Sequence, residues 1–458
     1  MDRSKKYIAG LSAALLMLSC GVSCSEKTEE TVEEIPEVTE ETTEAKRDID
    51  INGQTIVWLA DYDLNPSAGA ERSVALSLFE EVYGAKVKFV PVDSSGKYDK
   101  LVSMVNSGED VDMFPYEPEA FPSGMLNSLY EPLDPYFDIM ETDGELWKGM
   151  TSVIDSFAYN GQHFVVPYAL KDVQILTYSR QLVKDNGLDD PDELYKAGKW
   201  DWAAFTAMMD KFVASAPEGT TRYGIKGSFG QALRQSTGST AVKYDGTKFE
   251  NNLNDPMIEK AENLMKDLSA RRVYVPGYDI SYPSDNSTLF FAMGSWTLGA
   301  SNAKNQDKDI MAVPFPNETA DDNFYVTCGV DAKMLVRNST KGEAVAAYLK
   351  CERIAQTQPQ YRSEAKNKAM QGREFVSEEQ YNALRSYMDT ASVKPVFDFG
   401  YGMGGKMYGE GDYTFATRGV MNKLDSTLLD GDPAADSWAA LRDHCSGIVD
   451  SEIALYNK

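Results

Sequence analysis

YPSDNSTLFFAMGSWTLGASNAK, residues Tyr282 to Lys304, is the segment around which the rest of the chain is organised. Its Pro-Ser-Asp at 283–285 can start and cap a helix, so the apolar run Leu289–Met293 is predicted to be a short helix that ends at Gly294. Small residues flank Trp296 on both sides and leave one face of its ring uncovered. Such a ring is either a core plug or a stacking surface for a ligand.

The amino-terminal segment has the features of a secretory signal. A basic region at residues 3–6 precedes the apolar run Ile8–Leu18, which is too short to span a bilayer. The sequence Met-Leu-Ser-Cys that ends at Cys20 resembles the lipobox of bacterial lipoproteins, and Cys24 is an alternative. That resemblance implies a signal peptide of residues 1–19 and a lipid on the cysteine that follows it. An ordinary secretory signal is the other interpretation.

Residues 20–47 are acidic and of low complexity. The segment is rich in Glu and Thr and almost free of large apolar groups, so it cannot bury enough surface to fold. Like charges keep such a chain extended. We therefore predict a disordered acidic tether between the anchor and a folded body.

Length and charge bound the class of protein. About 410 residues follow the tether, enough for two domains of ordinary size. The formal net charge of −26 argues against nucleic acid or an anionic membrane surface as a partner, because both attract a basic face. The membrane is therefore expected to be reached through the lipid anchor only.

Histidine and cysteine are too scarce for most catalytic or metal sites. His163 and His444 are the two histidines, and they lie far apart in the sequence. This leaves no His/Cys metal cluster and no histidine-based triad, so we predict no metal, no other cofactor and no catalytic residue. Whether any of Cys328, Cys351 and Cys445 form a disulfide stays open, although free thiols are favoured by their odd number.

The first part of the folded body predicts an α/β domain with a parallel sheet. Gln54–Ala60 is a near-continuous apolar run, as expected of a buried parallel strand, and Lys86–Val92 and Asp110–Phe114 follow with helices between them. Ligands collect at the carboxyl ends of such strands. Those ends carry the candidate binding residues Asp61, Tyr62, Tyr116 and Glu117.

The rest of the chain predicts a second α/β unit. Phe157–Tyr168 reads as a hairpin with an Asn-Gly turn, and it continues into the strand Lys171–Tyr178. Trp200–Phe205 begins a helix for which Asp201 is the expected cap. Phe324–Val336 is an extended run that precedes another helix.

This order of segments resembles the extracellular solute-binding proteins of ABC importers, in particular the carbohydrate-binding family that includes the maltose-binding protein. Asn160–Arg180 is similar to the family's first crossover between domains, and Trp200–Phe205 to its Trp-Asp/Glu helix start. Trp296 after Met-Gly-Ser is similar to its Gly-x-Trp, and Val326–Val336 to its second crossover. The usual Gly-Lys before the tryptophan segment is replaced by residues 286–288, so the exact ligand of the family does not carry over.

The resemblance implies an α/β, two-lobe, periplasmic-binding-protein-like fold in which hinge strands cross between the lobes. Lobe one would be residues 50–166 plus 328–376, and lobe two residues 167–327 plus 377–458. The ligand would bind in the cleft, and closure would be a hinge motion. The resemblance implies a monomeric, lipid-anchored receptor on the extracellular face of the cytoplasmic membrane that delivers a sugar or oligosaccharide to an ABC permease.

A sugar site needs aromatic platforms surrounded by polar side chains, because sugars present flat C–H faces and a rim of hydroxyls. Trp296 is the first stacking candidate, Lys171 and Asp172 follow the first crossover, and two tyrosines lie where the family's second lobe supplies another ring. The predicted ligand-binding residues are Asp61, Tyr62, Tyr116, Glu117, Lys171, Asp172, Trp296, Tyr401 and Tyr408.

Other functions stay open at this point. A receptor for another polar solute would have the same fold, although the abundant carboxylates disfavour an anionic ligand. A secreted glycoside hydrolase needs two carboxylates roughly 5–9.5 Å apart, and acidic residues are too abundant here for spacing to reveal a pair. A surface glycan-adhesion module without a permease is a further alternative. The sequence does not name the sugar.

Overall fold

The computed structural model describes residues 49–67, 71–304, 309–320, 323–409 and 414–457. The predicted signal peptide, both candidate lipidation cysteines and the acidic tether fall outside these ranges. Within them, no helix has the length and apolar character needed to cross a membrane. The two main sheets lie in one compact unit of residues 47–458.

Across the described residues, the strands form a four-stranded sheet, a five-stranded sheet and four two-stranded pairs. The strands are β1 (Thr55–Ala60), β2 (Lys86–Pro91), β3 (Met113–Pro115), β4 (Ala158–Tyr159), β5 (Gln162–His163), β6 (Ala169–Lys171), β7 (Gln174–Ser179), β8 (Tyr223–Gly227), β9 (Val242–Tyr244), β10 (Phe249–Asn251), β11 (Tyr274–Val275), β12 (Thr288–Gly294), β13 (Ile310–Pro314), β14 (Tyr325–Thr327), β15 (Gly329–Asp331), β16 (Lys333–Leu335) and β17 (Lys394–Val396).

Helices alternate with these strands, as expected of an α/β protein. They are α1 (Val74–Tyr83), α2 (Lys97–Ser107), α3 (Ser123–Leu126), α4 (Phe137–Met140), α5 (Thr151–Ser156), α6 (Arg180–Asp185), α7 (Pro191–Lys196), α8 (Trp202–Ala214), α9 (Gly230–Gln235), α10 (Pro256–Ala270), α11 (Leu298–Lys304), α12 (Gly342–Thr357), α13 (Pro359–Gln371), α14 (Glu378–Ser386), α15 (Val420–Asp430) and α16 (Trp438–Tyr456). The predicted cap of α8 is confirmed, since the Asp201 carboxylate accepts a hydrogen bond from the Ala204 N–H at 2.8 Å.

The four-stranded sheet has the order β16-β3-β1-β2. Strand β1 runs parallel to β2 and β3, and β16 is antiparallel to β3. Ile56–Ala60 is buried throughout, which agrees with the continuous apolar run of a strand covered on both faces. Helices α1 and α12 pack against each other beside it. The parallel α/β arrangement predicted for this part of the chain is confirmed.

The five-stranded sheet has the order β11-β8-β12-β7-β13, with β12 at its centre. The predicted helix at Leu289–Met293 is therefore wrong, because these residues belong to β12. A run of five apolar residues without a polar face fits a strand buried on both sides as well as a helix. Neighbouring rings point to opposite sides: Phe290 packs against Phe205, and Phe291 stacks on Tyr282.

The Pro-Ser-Asp triplet before β12 forms a turn, not a helix cap. Asp285 Oδ1 accepts a hydrogen bond from the backbone N–H of Ser287 at 2.8 Å. An aspartate that bonds to its own backbone two residues on closes an Asx turn, which competes with a helix start. The same side-chain chemistry that suggested a cap thus leads the chain into the central strand.

Crossover strands join the two sheets. Strand β6 precedes β7 of the second sheet and pairs antiparallel with β15, which leads back to β16 of the first. Strand β14, at the start of the return, pairs in parallel with β17. The two-lobe fold class with hinge strands is confirmed, and the residue boundaries proposed for the lobes stay a prediction.

The cysteines of the described ranges are all unpaired. Cys351 and Cys445 are buried, and Cys328 is half-buried between β14 and β15. Burial raises the pKa of the Cys328 thiol to about 12, so this thiol stays protonated at neutral pH.

Candidate ligand-binding site

A cavity of about 170 Å³ lies between the two sheets. One side is formed by the loop that follows β3, and the opposite side by α9, which follows β8 of the second sheet. The crossover strand β15 and the segment 396–402 complete its wall. A cavity of roughly 150 Å³ accommodates a benzene-sized ring. This cavity therefore has room for one ring of a ligand.

Aromatic rings from both sides of the cavity pack against one another. Phe121, after β3, meets Phe399 edge to face at a centroid distance of 5.0 Å and an angle of 70°. Phe157, before β4, meets Phe399 edge to face at 5.3 Å and 79°, and it meets Phe397 in a tilted arrangement at 5.0 Å. Edge-to-face packing is the favoured geometry of aromatic pairs. The wall is thus apolar and continuous across the junction of the two sheets.

Four of the predicted residues line this cavity: Tyr116, Glu117, Lys171 and Tyr401. The other five, Asp61, Tyr62, Asp172, Trp296 and Tyr408, do not line it. Whether any of the nine contacts a ligand stays a prediction.

Asp61 and Glu117 share one buried lysine. Lys97 Nζ lies 3.5 Å from Asp61 Oδ2 and forms an ion pair with Glu117 as well. Burial alone would raise the pKa of Asp61, but a hydrogen bond from Ser94 and the charge of Lys97 outweigh it and hold that pKa below its usual value. Lys97 was not predicted as a site residue, because it is the first residue of α2 and carries no motif of its own.

Tyr62 is 48% exposed beside this ion-pair cluster. Its ring stands edge-on to Trp58 at 5.4 Å, and its carbonyl oxygen accepts the Trp58 indole N–H at 2.9 Å. Burial of the hydroxyl and the nearby carboxylates of Glu352 and Asp331 raise the pKa of Tyr62.

Lys171 and Asp331 pair across the two crossover strands, with Lys171 Nζ 3.2 Å from Asp331 Oδ1. Asp172 follows in the link to β7, is exposed, and has a backbone φ of 49°. Of these two predicted site residues, Lys171 lines the cavity and Asp172 does not.

Trp296 is 58% exposed at the carboxyl end of β12, which rules out the core-plug alternative. The backbone N–H of Ser295 donates to the Val173 carbonyl at 2.9 Å and anchors the turn to the second sheet. A Cβ on Gly294 would lie 2.8 Å from the Trp296 ring. The glycine thus leaves room for the indole against the backbone while the rest of the ring stays open.

Tyr401 is buried and tied to an ionic cluster behind the cavity wall. Its hydroxyl accepts a hydrogen bond from Arg234 Nη2 at 2.9 Å and donates to Asp425 Oδ1 at 2.7 Å. Arg234 also pairs with the fully buried Glu262. The Tyr408 ring packs edge-on against Tyr401 at 5.1 Å. This network fixes the face of Tyr401 that lines the cavity.

Three polar lining residues escaped the sequence analysis: Gln231, Gln235 and Asp398. Asp398 accepts backbone N–H bonds from Ala241 at 2.6 Å and Gly400 at 3.0 Å. Burial raises the pKa of Asp398 to about 6. Gln231 and Gln235 follow a Gly-Ser-Phe-Gly turn at residues 227–230, and Asp398 lies three residues before the predicted Tyr401, but no motif marks these three side chains. Phe229 of that turn is a core residue (2% exposed).

The charged side chains that line the cavity are Glu117, Lys171 and Asp398. Each is already engaged within the protein: Glu117 by Lys97, Lys171 by Asp331, and Asp398 by backbone N–H groups. A charge that is paired in this way offers little to an ionic ligand. The electrostatics of the cavity therefore favour a neutral ligand.

A family model described as bacterial extracellular solute-binding protein matches residues 75–358, more than half of the chain. No curated protein is significantly similar to the chain in sequence.

Solved structures share its fold at low identity. The sugar-binding protein MalE from Xanthomonas citri is 12% identical over 88% of this chain and 98% of its own, with a TM-score of 0.63. The cyclic alpha-maltosyl-1,6-maltose binding protein from Arthrobacter globiformis is 14% identical over 87% and 98%, with a TM-score of 0.60. UgpB from Mycobacterium tuberculosis, in complex with glycerophosphocholine, is 15% identical over 88% and 100%, with a TM-score of 0.58.

Proposed function

Because the chain belongs to the family of bacterial extracellular solute-binding proteins, we propose that it is a receptor that binds a neutral carbohydrate between its two lobes and delivers it to an ABC permease. One observation carries the choice of ligand. The cavity between the sheets is walled by aromatic rings, and its charged side chains are paired within the protein. Apolar ring faces with uncharged polar groups suit the C–H faces and hydroxyls of a sugar.

The crossover strands support a binding cycle by hinge closure. The loop after β3 and helix α9 belong to different sheets, so a ligand in the cavity touches both lobes. A ligand that makes more contacts in the closed state shifts the open–closed equilibrium toward it. Closure around the sugar then presents the liganded form to the permease.

Binding is tested by thermal shift and calorimetry. The panel comprises maltose, maltotriose, cyclic alpha-maltosyl-1,6-maltose and lacto-N-biose, with glycerophosphocholine as the zwitterionic comparison. A sugar that binds only the folded state raises the melting temperature in proportion to the logarithm of its concentration above Kd. We expect a saturable shift with at least one neutral sugar. A shift with glycerophosphocholine alone would favour the alternative that the protein is a receptor for a polar solute other than a sugar.

The hydrolase alternative is separated by product analysis. Proteins of this family and the solved structures above are binding proteins. Prolonged incubation of the protein with the same glycans, followed by an assay for new reducing ends, is expected to show none above a buffer control. New reducing ends above the buffer control would contradict the receptor proposal and support the hydrolase alternative.

The lipid anchor belongs to the same proposal and is supported by the sequence pattern at Cys20. Delivery to a permease is supported by the family instead. The full-length chain is expected to partition into the detergent phase and the membrane fraction after expression in a bacterial host. Cys20→Ser is expected to release it, and Cys24→Ser serves as the control. If only Cys24→Ser releases the protein, the lipidated residue is Cys24. If the parent does not associate with the membrane, the proposed lipid anchor is wrong.

A further inference from the structure

Gln235 occupies the end of α9 at the cavity and is 2% exposed. The helix is held in place by close packing: a Cβ on Gly230, its first residue, would lie 1.9 Å from the Asp425 carbonyl oxygen. The neighbouring Arg234 points away into its ionic cluster with Asp425. The position of the Gln235 side chain is therefore set by the packing of α9, not by partners of its own amide.

Neither the amide nitrogen nor the amide oxygen of Gln235 has a hydrogen-bond partner among the described residues. Buried polar groups in folded proteins are nearly always bonded, and an unpaired one destabilises the fold. Among the described residues that line the cavity, Gln235 is the one whose buried polar atoms lack a partner, whereas the ionised neighbours are satisfied. A group that weakens the free protein is retained where a ligand completes its bonds.

Both amide atoms are covered in the unliganded protein. We propose that Gln235 is the specificity-determining residue of the cavity: its side chain turns into the cavity when the ligand binds, and its amide then bonds two adjacent hydroxyls of a neutral sugar ring. Each hydroxyl both donates and accepts, so a vicinal diol satisfies the N–H and the C=O of one amide together. The size of the cavity admits one ring, and the aromatic wall faces its C–H surface. The inference rests on the proposed function and narrows its ligand to sugars with a free vicinal diol on the ring that enters the cavity.

Gln380 provides a matched control. It is also buried (1% exposed), but its amide is fully bonded. Its nitrogen donates to Asn302 Oδ1 at 3.0 Å and to the Ile310 carbonyl at 2.9 Å, and its oxygen accepts from Val376 N–H at 3.1 Å. Substitution by Leu is therefore expected to change the melting temperature in opposite directions: it falls for a glutamine with a structural role and rises for one whose amide is completed only by a ligand.

The test compares Gln235→Leu with Gln380→Leu. In the unliganded protein we expect Gln235→Leu to raise the melting temperature, because it removes an unpaired amide, and Gln380→Leu to lower it. In calorimetry with the tightest sugar of the panel, Gln235→Leu is expected to weaken binding tenfold or more. A melting temperature that falls as far as that of Gln380→Leu assigns Gln235 a structural role and overturns the inference, as does an unchanged affinity.

Deoxy analogues of that sugar identify the diol. Removal of either of two adjacent hydroxyls is expected to weaken binding to the parent by tenfold or more, and to have little further effect on Gln235→Leu. If no two adjacent hydroxyls show this effect, the diol assignment is overturned. The two proposals can fail separately. If the parent binds none of the sugars, the proposed function and this inference are both overturned. If the parent binds a sugar and Gln235→Leu binds it equally well, only the inference is overturned.

Discussion

Gly402 lies so close to Phe121 that a Cβ on the glycine would stand 2.3 Å from the Phe121 carbonyl oxygen. The hydroxyl of Ser123 donates to the Gly402 carbonyl at 2.5 Å beside this contact. The segment after β17 and the loop after β3 therefore meet backbone to backbone at one wall of the cavity. Only a residue without a side chain permits this approach.

Gly402→Ala is expected to separate these two loops. Overpacking of a close backbone contact destabilises a protein by about 1–3 kcal/mol, and the wall of the cavity moves with it. We expect lower stability in denaturant unfolding and a sugar affinity reduced about tenfold. Gly405→Ala is the control, since a Cβ there would meet no atom within 4 Å. Equal effects of the two substitutions would contradict a specific role for the contact.

The parts of the fold that the sequence predicted depend on local chemistry. The buried run of β1, the Asn-Gly hairpin turn between β4 and β5, and the Asp201 cap each follow from residues adjacent in the chain. The central strand β12 was missed because a short apolar run lacks a period that separates strand from helix. Burial on both faces depends on distant elements, and no local signal reports it.

The candidate site divides in the same way. Tyr116 and Glu117 were found because they follow a parallel strand, where ligand sites collect. Lys97 and Gln235 were missed because their importance lies in partners, or in the lack of them, which only the three-dimensional arrangement shows. A glutamine at the end of a short helix looks the same in sequence whether its amide is bonded, as in Gln380, or not.

Trp296→Ala tests the exposed indole as a stacking surface. Because the ring is 58% exposed, its loss is expected to change the free energy of unfolding by less than about 1 kcal/mol. If it stacks on a sugar in the closed form, affinity falls by about tenfold or more, and the tryptophan fluorescence response to sugar shrinks. Tyr278→Ala, at a residue that is 65% exposed, is the control. Unchanged affinity in Trp296→Ala would remove it from the site.

Tyr401→Phe distinguishes the role of the Tyr401 hydroxyl, which bonds the ionic cluster, from that of the ring, which lines the cavity. The substitution keeps the ring but removes the hydroxyl that bonds both Arg234 and Asp425. A buried ionic cluster that loses a partner is expected to lower the free energy of unfolding by about 1–3 kcal/mol, while sugar affinity changes less than threefold. Tyr98→Phe is the control, because the Tyr98 hydroxyl is buried without a partner among the described residues and its removal is expected to cost nothing. Equal stability losses would contradict the assignment.

Asp398 makes the stability of the protein depend on pH in a defined direction. Burial raises its pKa to about 6, although backbone N–H groups of Gly400 and Ala241 and the charge of Arg234 favour the ionised form. In the unfolded chain the same carboxyl titrates near pH 4, at about 3.9. The contribution of this group to stability is therefore fully present below about pH 4 and is lost as the pH rises through 6.

The measurement is the free energy of unfolding of the parent and of Asp398→Asn between pH 4 and pH 7. A shift of about two pKa units corresponds to roughly 3 kcal/mol, so the parent is expected to lose up to about that much stability relative to the variant across this range. The difference between the two curves isolates Asp398, since all other titrating groups are common to both. A difference that stays flat, or that grows in favour of the parent as the pH rises, would show that the backbone N–H bonds outweigh burial and that the pKa of Asp398 is not raised.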